Sequence, residues 1–286
     1  MTSQEQSVLK STTEIPVIIL KPSGGWASLK LLELWEYREL LYFLIWRDVK
    51  VRYTQAVLGV GWALIQPLMT MMIFSVIFGH LAKLPSEGIP YPIFSYAALL
   101  PWQLFSSALT RTSSSLIGNA HLLTKVYFPR LIIPFSAIGA GLVDFGISFV
   151  VLLGLMFYYA IVPTWTILWL PLLVVFVLLT GLGVGLWLSA LNVQYRDVQH
   201  MIPFLVQVWM FASPVAYSAE LIPKGIWRVL YGLNPMAGVI QGFRWALLNG
   251  DPPGELMLLS VVIVMILLVT GLFFFKRMER TFADIV

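Results

Sequence analysis

The sequence predicts an all-α integral membrane protein with six transmembrane helices, because apolar residues dominate, charged residues are few and long apolar stretches recur. Of its 286 residues, 59% are hydrophobic and 11% are charged, and the mean hydropathy is +0.85. Soluble domains are about 45–50% apolar and about 25% charged. A soluble core could not hide this much apolar surface, so we expect lipid to act as the solvent for most of the chain.

Six apolar stretches are each long enough to cross a bilayer, which needs about 20 predominantly apolar residues. They lie at about 57–82, 91–117, 131–161, 165–190, 200–219 and 255–275. Gly181, Gly183 and Gly185 place small residues on the fourth stretch, and small residues permit the close approach of another membrane helix.

The N-terminal residues are predicted to stay outside the bilayer core. Residues 1–29 are mostly polar, and we expect a flexible cytoplasmic tail without the features of a cleaved signal peptide. Residues 30–55 mix leucine and tryptophan with too many charges for a spanning helix. An amphipathic helix lying in the membrane interface explains this pattern, and a soluble helix packed on its own chain is the alternative. Residues 56–286 would then form the transmembrane domain.

The distribution of lysine and arginine predicts that both termini are cytoplasmic. With the N-terminus inside, fourteen of the 18 basic residues fall on the cytoplasmic side and four on the other side. Membrane proteins keep basic residues inside in this way. The net charge of +4 therefore needs no nucleic-acid partner, and none is expected.

The segment 220–250 combines aromatic residues and charges with many glycines and prolines. Two short helices that enter the outer leaflet and return explain this composition better than one span. Non-helical backbone at that depth must be buried in protein or face water. A plain amphipathic loop on the outer surface is the alternative.

Residues suited to catalysis or metal binding are scarce. The sequence has no cysteine, no GxxxxGK[ST] phosphate loop and no GxSxG motif, so neither thiolate metal sites nor P-loop nucleotide binding is expected. We expect no intrinsic catalysis, no metal and no cofactor in this chain. Asp144 is the main charged residue inside a span, and such a carboxylate is a functional-site candidate by default. The alternative is an Asp144 that is neutral or bonded to hydroxyls or to Arg111.

Two loops on the predicted cytoplasmic side carry exposed aromatic and charged residues. In the first, Tyr127 and Phe128 stand beside basic groups and suit docking into a groove on a cytoplasmic partner. In the second, Arg196 and Asp197 can make directed contacts. Ordinary charged connectors that fix the topology are the alternative for both loops.

Four segments together carry a resemblance to a known family. They are WRDVKVRY at 46–53 with LGVGW at 58–62 and Pro67, LTKVYFPR at 123–130 with Pro134, NVQYRDV at 192–198 with Pro203, and SPVAY at 213–217 followed by Asn234 and Pro235. In order and spacing they resemble the permease subunit of polysaccharide-exporting ABC transporters, the type-2 exporters of lipid-linked O-antigen, capsule or teichoic acid. The resemblance covers about residues 30–280.

The resemblance implies a homodimeric channel in the bacterial cytoplasmic (inner) membrane that exports lipid-linked polysaccharide. Two copies of a separate cytoplasmic ATPase subunit would bind ATP and Mg. Residues 30–55 would be the interfacial helix, and 220–250 would hold gate helices with the candidates Trp227, Tyr231, Asn234 and Arg244. The candidate residues for coupling to the ATPase are Asn119, His121, Lys125, Tyr127, Phe128, Arg130, Tyr195, Arg196 and Asp197.

A polysaccharide path is expected to use aromatic side chains, because sugar C–H surfaces pack on rings while the hydroxyls stay hydrated. The channel-lining candidates on the second and fifth spans are Trp102, Phe105, Trp209, Phe211 and Tyr217. Three other functions stay open: an ABC exporter of a small drug or lipid, a membrane-embedded glycosyl or lipid transferase, and an ion-coupled carrier. The transferase would need acidic, metal-binding or basic clusters, which the sequence does not show, and a single buried carboxylate disfavours the carrier.

Overall fold

The computed structural model of the protein describes residues 31–54, 59–223 and 225–285, so the tail predicted at 1–29 lies outside the described residues. Within these ranges the chain is helical and forms no β-strand. The α-helices are α1 (Leu31–Glu36), α2 (Arg38–Thr54), α3 (Gly59–Phe74), α4 (Tyr91–Gly118), α5 (Ala120–Lys125), α6 (Ile132–Tyr158), α7 (Leu170–Gln194), α8 (Val198–Phe211), α9 (Ile226–Gly232), α10 (Pro235–Leu248) and α11 (Gly254–Ile285). A π-helical stretch, Ser75–Leu81, extends α3, and a 3-10 turn, Trp165–Trp169, precedes α7.

Four helical segments are long and apolar enough to cross a membrane: Gly61–Leu81, Ile132–Tyr158, Trp165–Gln194 and Met257–Glu279. They correspond to the first, third, fourth and sixth predicted spans, and they confirm the all-helical membrane class. The second predicted span forms α4, which has 28 residues. Its second half is rich in serine and threonine, and this lowers its hydropathy below that of the other four.

The fifth predicted span, 200–219, is helical only as far as Phe211. Helix α8 has only 14 residues, about 21 Å at 1.5 Å per residue, whereas the hydrocarbon core is about 30 Å thick. The helix is capped at Ala212, and Pro214 follows two residues later. Proline is common at this position after a helix because it cannot continue the hydrogen-bond ladder.

Helix α7 lies between α4 and α11, and its glycines allow the backbones to approach. A Cβ atom on Gly181 would lie 2.7 Å from the Cβ of Ala108 on α4. On α11, a Cβ on Gly271 would lie 2.5 Å from the carbonyl oxygen of Gly183. Lipid tails are as apolar as leucine, so membrane helices associate largely through such close packing. The close approach predicted from the glycines of the fourth span is confirmed.

The bundle has two ends, named here for the features they carry. Residues 119–131 and 195–197 lie at the loop end. There the Nδ2 of Asn192 donates to the carbonyl of Ser113 at 3.0 Å, and this bond joins the ends of α7 and α4. At the cleft end lie residues 82–90, 212–223 and 249–253, where the hydroxyl of Ser218 donates to the carboxylate of Glu87. A cluster of buried apolar side chains fills each half of the bundle.

Helices α1 and α2 pack one face on the bundle and leave a mixed aromatic and basic face uncovered. Leu44 is buried, and Ile45 packs closely against Gly139 of α6. On the outer face, the guanidinium of Arg38 lies 5.7 Å from the ring centroid of Trp35, and the amine of Lys50 lies 4.6 Å from that of Trp46. Such a face is typical of helices in the membrane interface, and that placement stays a prediction.

The contact between α7 and α11 generates a test of the fold. We expect Gly271→Ala to destabilise the protein by about 1–3 kcal/mol, because the added methyl group overpacks a helix contact. Gly154→Ala is the matched control, since a Cβ there would meet nothing within 4 Å. Thermal unfolding of both variants in detergent should show a lower midpoint for Gly271→Ala alone. Equal midpoints would contradict the tight α7–α11 contact.

Candidate functional site

Four aromatic side chains at the cleft end share one open cleft of about 570 Å³. The cleft lies between the end of α8, the segment that follows it and α9. It is lined by Trp209, Ala212, Tyr217, Ile222, Pro223, Trp227, Leu230, Tyr231 and Asn234. Predicted channel residues and predicted gate residues, which are distant in sequence, therefore meet in one place, named here the aromatic cleft.

Hydrogen bonds orient three of these aromatic side chains. The indole nitrogen of Trp209 donates to the Oδ1 of Asn234 at 2.9 Å. The hydroxyl of Tyr231 donates to that of Tyr217 at 3.4 Å, and the two ring centroids are 6.5 Å apart. Trp227 is 63% exposed. The cleft thus combines oriented rings with one freely accessible indole.

Asn234 joins α8 to the start of α10. Its Oδ1 accepts from the backbone N–H of Met236 at 3.0 Å, so it caps α10, and Pro235 occupies the first helical position. Asparagine at the N-cap and proline at the first helical position are both favoured where a helix begins. Its Nδ2 donates to the hydroxyl of Ser213 at 2.9 Å. Asn234 therefore positions the cleft through contacts within the chain.

The segment 212–218, between α8 and the following turn, is not helical, yet its carbonyl groups find donors. Arg244 donates to the carbonyls of Val215, at 3.1 Å, and of Tyr217, at 3.2 Å. The hydroxyl of Tyr91 donates to the carbonyl of Ala216. The Nδ2 of Asn234 also donates to the carbonyl of Ala212 at 3.1 Å. At the end of α8, the carbonyl of Phe211 accepts from the hydroxyl of Tyr217 at 3.2 Å. Side chains thus replace the helical bonds that this segment lacks.

Arg244 is 2% exposed, so the structure places this gate candidate in the core. Its guanidinium carbon lies 3.6 Å from the ring centroid of Phe94, an arrangement that stabilises a buried cation. Arg244 positions the segment that carries Tyr217 and does not line the aromatic cleft.

The channel candidates divide between the core and the surface. Trp102 and Phe105 are 3% and 0% exposed, so the expectation that they line a path is corrected. Phe105 packs edge-on against Trp209, with 5.0 Å between the ring centroids, and supports the aromatic cleft from behind. Phe211, in contrast, is 54% exposed at the end of α8.

Helix α8 presents an uncovered face that combines aromatic and amide side chains. Phe204, Gln207 and Phe211 are all exposed. Their spacing of three and four residues places them on one side of the helix. An amide would lack hydrogen-bond partners in lipid, so this face suits contact with water, with protein or with a polar ligand.

The loop end presents the exposed members of the coupling candidates. Helix α5 carries His121 and Lys125, both exposed, and Tyr127 follows with 79% of its surface accessible. From the connection between α7 and α8, Tyr195, Arg196 and Asp197 are exposed as well. Aromatic, basic and acidic groups are thus offered together at one end of the bundle.

The other coupling candidates hold the loop in place. Phe128 is 7% exposed and belongs to the buried cluster at the loop end, so its predicted docking role is corrected. The guanidinium of Arg130 donates to the carbonyl of Glu279 on α11. The Oδ1 of Asn119 accepts from Arg47 of α2 at 2.8 Å. These three residues connect α5 and its loop to the bundle.

Asp144 is the centre of a polar cluster between α2, α4 and α6. Its carboxylate accepts from the guanidinium of Arg52 and the hydroxyl of Tyr53, and the guanidinium of Arg111 is 3.8 Å away. Burial and the bond to Asp144 raise the pKa of Tyr53 to about 12, so the phenol remains a donor at neutral pH. The sequence suggested hydroxyl groups and Arg111 as partners of Asp144, but it did not identify Tyr53 as the hydroxyl donor or Arg52 as the ion-pair partner.

Among the residues that the structure describes, no group of three or more His, Asp or Glu side chains is placed to hold a metal ion.

Comparison with known proteins agrees with this arrangement. Residues 39–248 match the family model described as ABC-2 type transporter. The chain is 32% identical over 252 residues to the O-antigen export system permease protein RfbA of Myxococcus xanthus, covering 87% of this chain and 96% of that protein. It is 30% identical to the protein of the same name from Klebsiella pneumoniae, and the match covers 87% of this chain and 95% of that protein. It is 25% identical to the polysialic acid transport protein KpsM of Escherichia coli, and that match covers 72% of this chain and 80% of the relative. The chain belongs to the ABC-2 type transporter family.

Proposed function

We propose that this chain is the channel-forming permease subunit of an ATP-driven transporter that exports lipid-linked polysaccharide, of the O-antigen kind, across the cytoplasmic membrane. The aromatic cleft is the observation that carries the proposal. Relatives named for O-antigen export and for polysialic acid transport support the same class of cargo.

The physical problem is to move a hydroxyl-rich chain across about 30 Å of hydrocarbon. Each hydroxyl without a hydrogen-bond partner costs several kcal/mol in an apolar medium, so the path must be lined by protein and water. The exposed face of α8 offers rings at Phe204 and Phe211 with an amide at Gln207 between them. Rings pack on the C–H surfaces of sugars and the amide pairs with hydroxyls, which gives weak, repeated sites along which a polymer can slide.

One chain supplies only half of such a path, because the face of α8 is open. A second copy of the chain, related by a two-fold axis, would close it, and such symmetric dimers are the commonest oligomers. In this dimer each chain crosses the membrane six times, with α4 as the second crossing. The fifth crossing consists of α8 and the non-helical segment after it. Helices α9 and α10 are the gate helices at the outer face.

The loop end faces the cytoplasm in this proposal, and both termini are cytoplasmic. Lys125, Arg130, Arg196 and Arg277 lie at this end, as the positive-inside rule requires. In the ABC-2 family the ATPase is a separate subunit, and this sequence has no phosphate loop. Two copies of that partner, with ATP and Mg bound, would dock on α5 and on residues 195–197.

Closure of the partner ATPases would push on α5. Phe128 and Arg130 connect this loop to the bundle and to α11, and Asn119 connects it to α2. Closely packed elements shift as rigid units, so the push would move half-channels rather than single side chains.

The docking surface is tested by Tyr127→Ala, which removes an exposed ring at the loop end. We expect export and coupled ATP hydrolysis to fall about tenfold, because an aromatic anchor of an interface contributes on the order of 1–2 kcal/mol. Tyr158→Ala is the matched control, since Tyr158 is 78% exposed at the cleft end. Export and ATPase rates of the purified complex in vesicles measure both variants. Docking at the loop end would be contradicted if both variants lost export equally, or if neither variant lost export.

The role of the aromatic cleft is tested by Trp227→Ala. Loss of this exposed indole should lower the rate of polysaccharide export several-fold, because one aromatic contact contributes roughly 0.5–1.5 kcal/mol. Trp165→Ala serves as the control, because Trp165 is 71% exposed and does not line the cleft. Cell-surface polysaccharide at equal permease levels provides the measurement. Unchanged export in Trp227→Ala would remove the cleft from the path.

A further inference from the structure

We propose that a partly open cavity between α2, α3, α4 and α6 is a second sugar-binding site, which holds one or two sugar units of the polymer before they reach the aromatic cleft. The cavity has a volume of about 380 Å³, within the roughly 300–1,000 Å³ of ligand sites. This inference rests on the proposed function, because it assigns a new subsite for the same cargo.

The cavity is polar at membrane depth. Asp144, which lines it, is twelve residues into α6 (Ile132–Tyr158), about 18 Å along the helix, and α6 is one of the four candidate spans. Polar groups at such a depth need partners inside the protein or in a water-filled space. The cavity therefore requires a polar content.

Four polar side chains line the cavity without a hydrogen-bond partner among the residues that the structure describes. They are Gln66, Gln103, Ser106 and Thr110. Each can donate and accept, and each would lose free energy against a purely apolar ligand. A ligand with many hydroxyl groups satisfies all four.

The charged residues of the cavity leave hydrogen-bond donors free for a ligand. Asp144 is paired with Arg52, and the terminal nitrogen of Arg111 is 3.8 Å from the same carboxylate. Arg111 makes one hydrogen bond, from its Nε to the hydroxyl of Ser107 at 2.9 Å. Its remaining N–H groups can donate to the hydroxyl oxygens of a sugar.

An exposed indole completes the site. Trp62 lines the cavity and is 59% exposed. It precedes Gln66 by one helical turn, so the indole and the amide lie on the same face of α3. A sugar can then pack its C–H face on the indole while its hydroxyls meet the amide.

A neighbouring cavity of about 680 Å³ connects this site to the loop end. Both cavities are lined by Arg52 and Arg111, and the second also reaches Arg47 and Asn119. Sugar units that approach from the loop end would therefore meet this site first and the aromatic cleft later.

The inference is tested by photo-cross-linking in cells that export polysaccharide through the complete transporter. A photoreactive residue replaces Gln103 in the cavity, Trp227 in the aromatic cleft or Leu168, which is 77% exposed and lines neither site. Periodate–hydrazide staining, which marks vicinal diols, identifies permease bands that carry glycan. We expect glycan on the first two variants and none on the third.

The outcomes separate the two proposals. Glycan at position 227 without glycan at 103 would overturn the cavity site and leave the proposed function standing. Glycan at neither position would overturn both. Glycan at all three positions would show non-specific labelling and would also overturn the assignment of the cavity.

A second variant reports on binding without changing the shape of the cavity. Thr110→Val is nearly isosteric and removes one hydroxyl, so we expect about two- to tenfold less cross-linking at position 103, the effect of one hydrogen bond. Cross-linking at position 227 should not change. Thr180→Val is the control, because its hydroxyl lies outside the cavity and donates only to the carbonyl of Phe176 in its own helix. An undiminished yield in Thr110→Val would contradict a polyol ligand at this place.

Discussion

The backbone contact between Gly183 of α7 and Gly271 of α11 is the constraint on which the bundle depends. A membrane offers little hydrophobic driving force between helices, so packing must supply the association. On its other side α7 meets α4 through Gly181, where a Cβ would fall 2.7 Å from that of Ala108. Helices α4, α7 and α11 therefore pack as one layer, named here the slab. Larger side chains at Gly181 or Gly271 would not fit in it. Helices α8 and α9, which carry residues of the aromatic cleft, and α10, which Asn234 caps, pack against this slab.

The slab relates the loop end to the cleft end. Both α4 and α7 run from one to the other, and a buried cluster fills each half. At the loop end, Phe128 and Arg130 attach residues 119–131 to this frame. At the cleft end, Phe105 of α4 supports Trp209. Packed interiors respond by discrete shifts rather than by continuous deformation, so the push proposed at the loop end would act on the whole frame.

The sequence predicted the features that depend on long apolar runs, and it failed where local signals are ambiguous. Composition and length predicted α3, α6, α7 and α11, because a bilayer imposes the same requirement on every span. Trp102 and Trp227 are equally aromatic, yet only a fold shows that one is buried and the other is exposed. Tyr53 and Asp144 meet across 91 positions in the chain, and no local pattern predicts such a pair. The end of α8 at Ala212 did have a signal, since Pro214 follows it, but the apolar character of the segment concealed it.

The early end of α8 explains how the aromatic cleft can exist. In a continuous helix, Trp209 and Tyr217 would be separated by about 12 Å along the axis. The break lets Tyr217 fold back into the cleft that Trp209 lines, and its hydroxyl meets that of Tyr231. A helix that ends early leaves carbonyl groups without helical partners, and buried carbonyl groups must find donors within the protein. Arg244 supplies two of them, to Val215 and Tyr217, and the Phe94 ring stabilises its buried charge. A charge that is costly to bury is thus retained because it allows a non-helical segment, and with it a cluster of aromatic rings, inside a helical membrane protein.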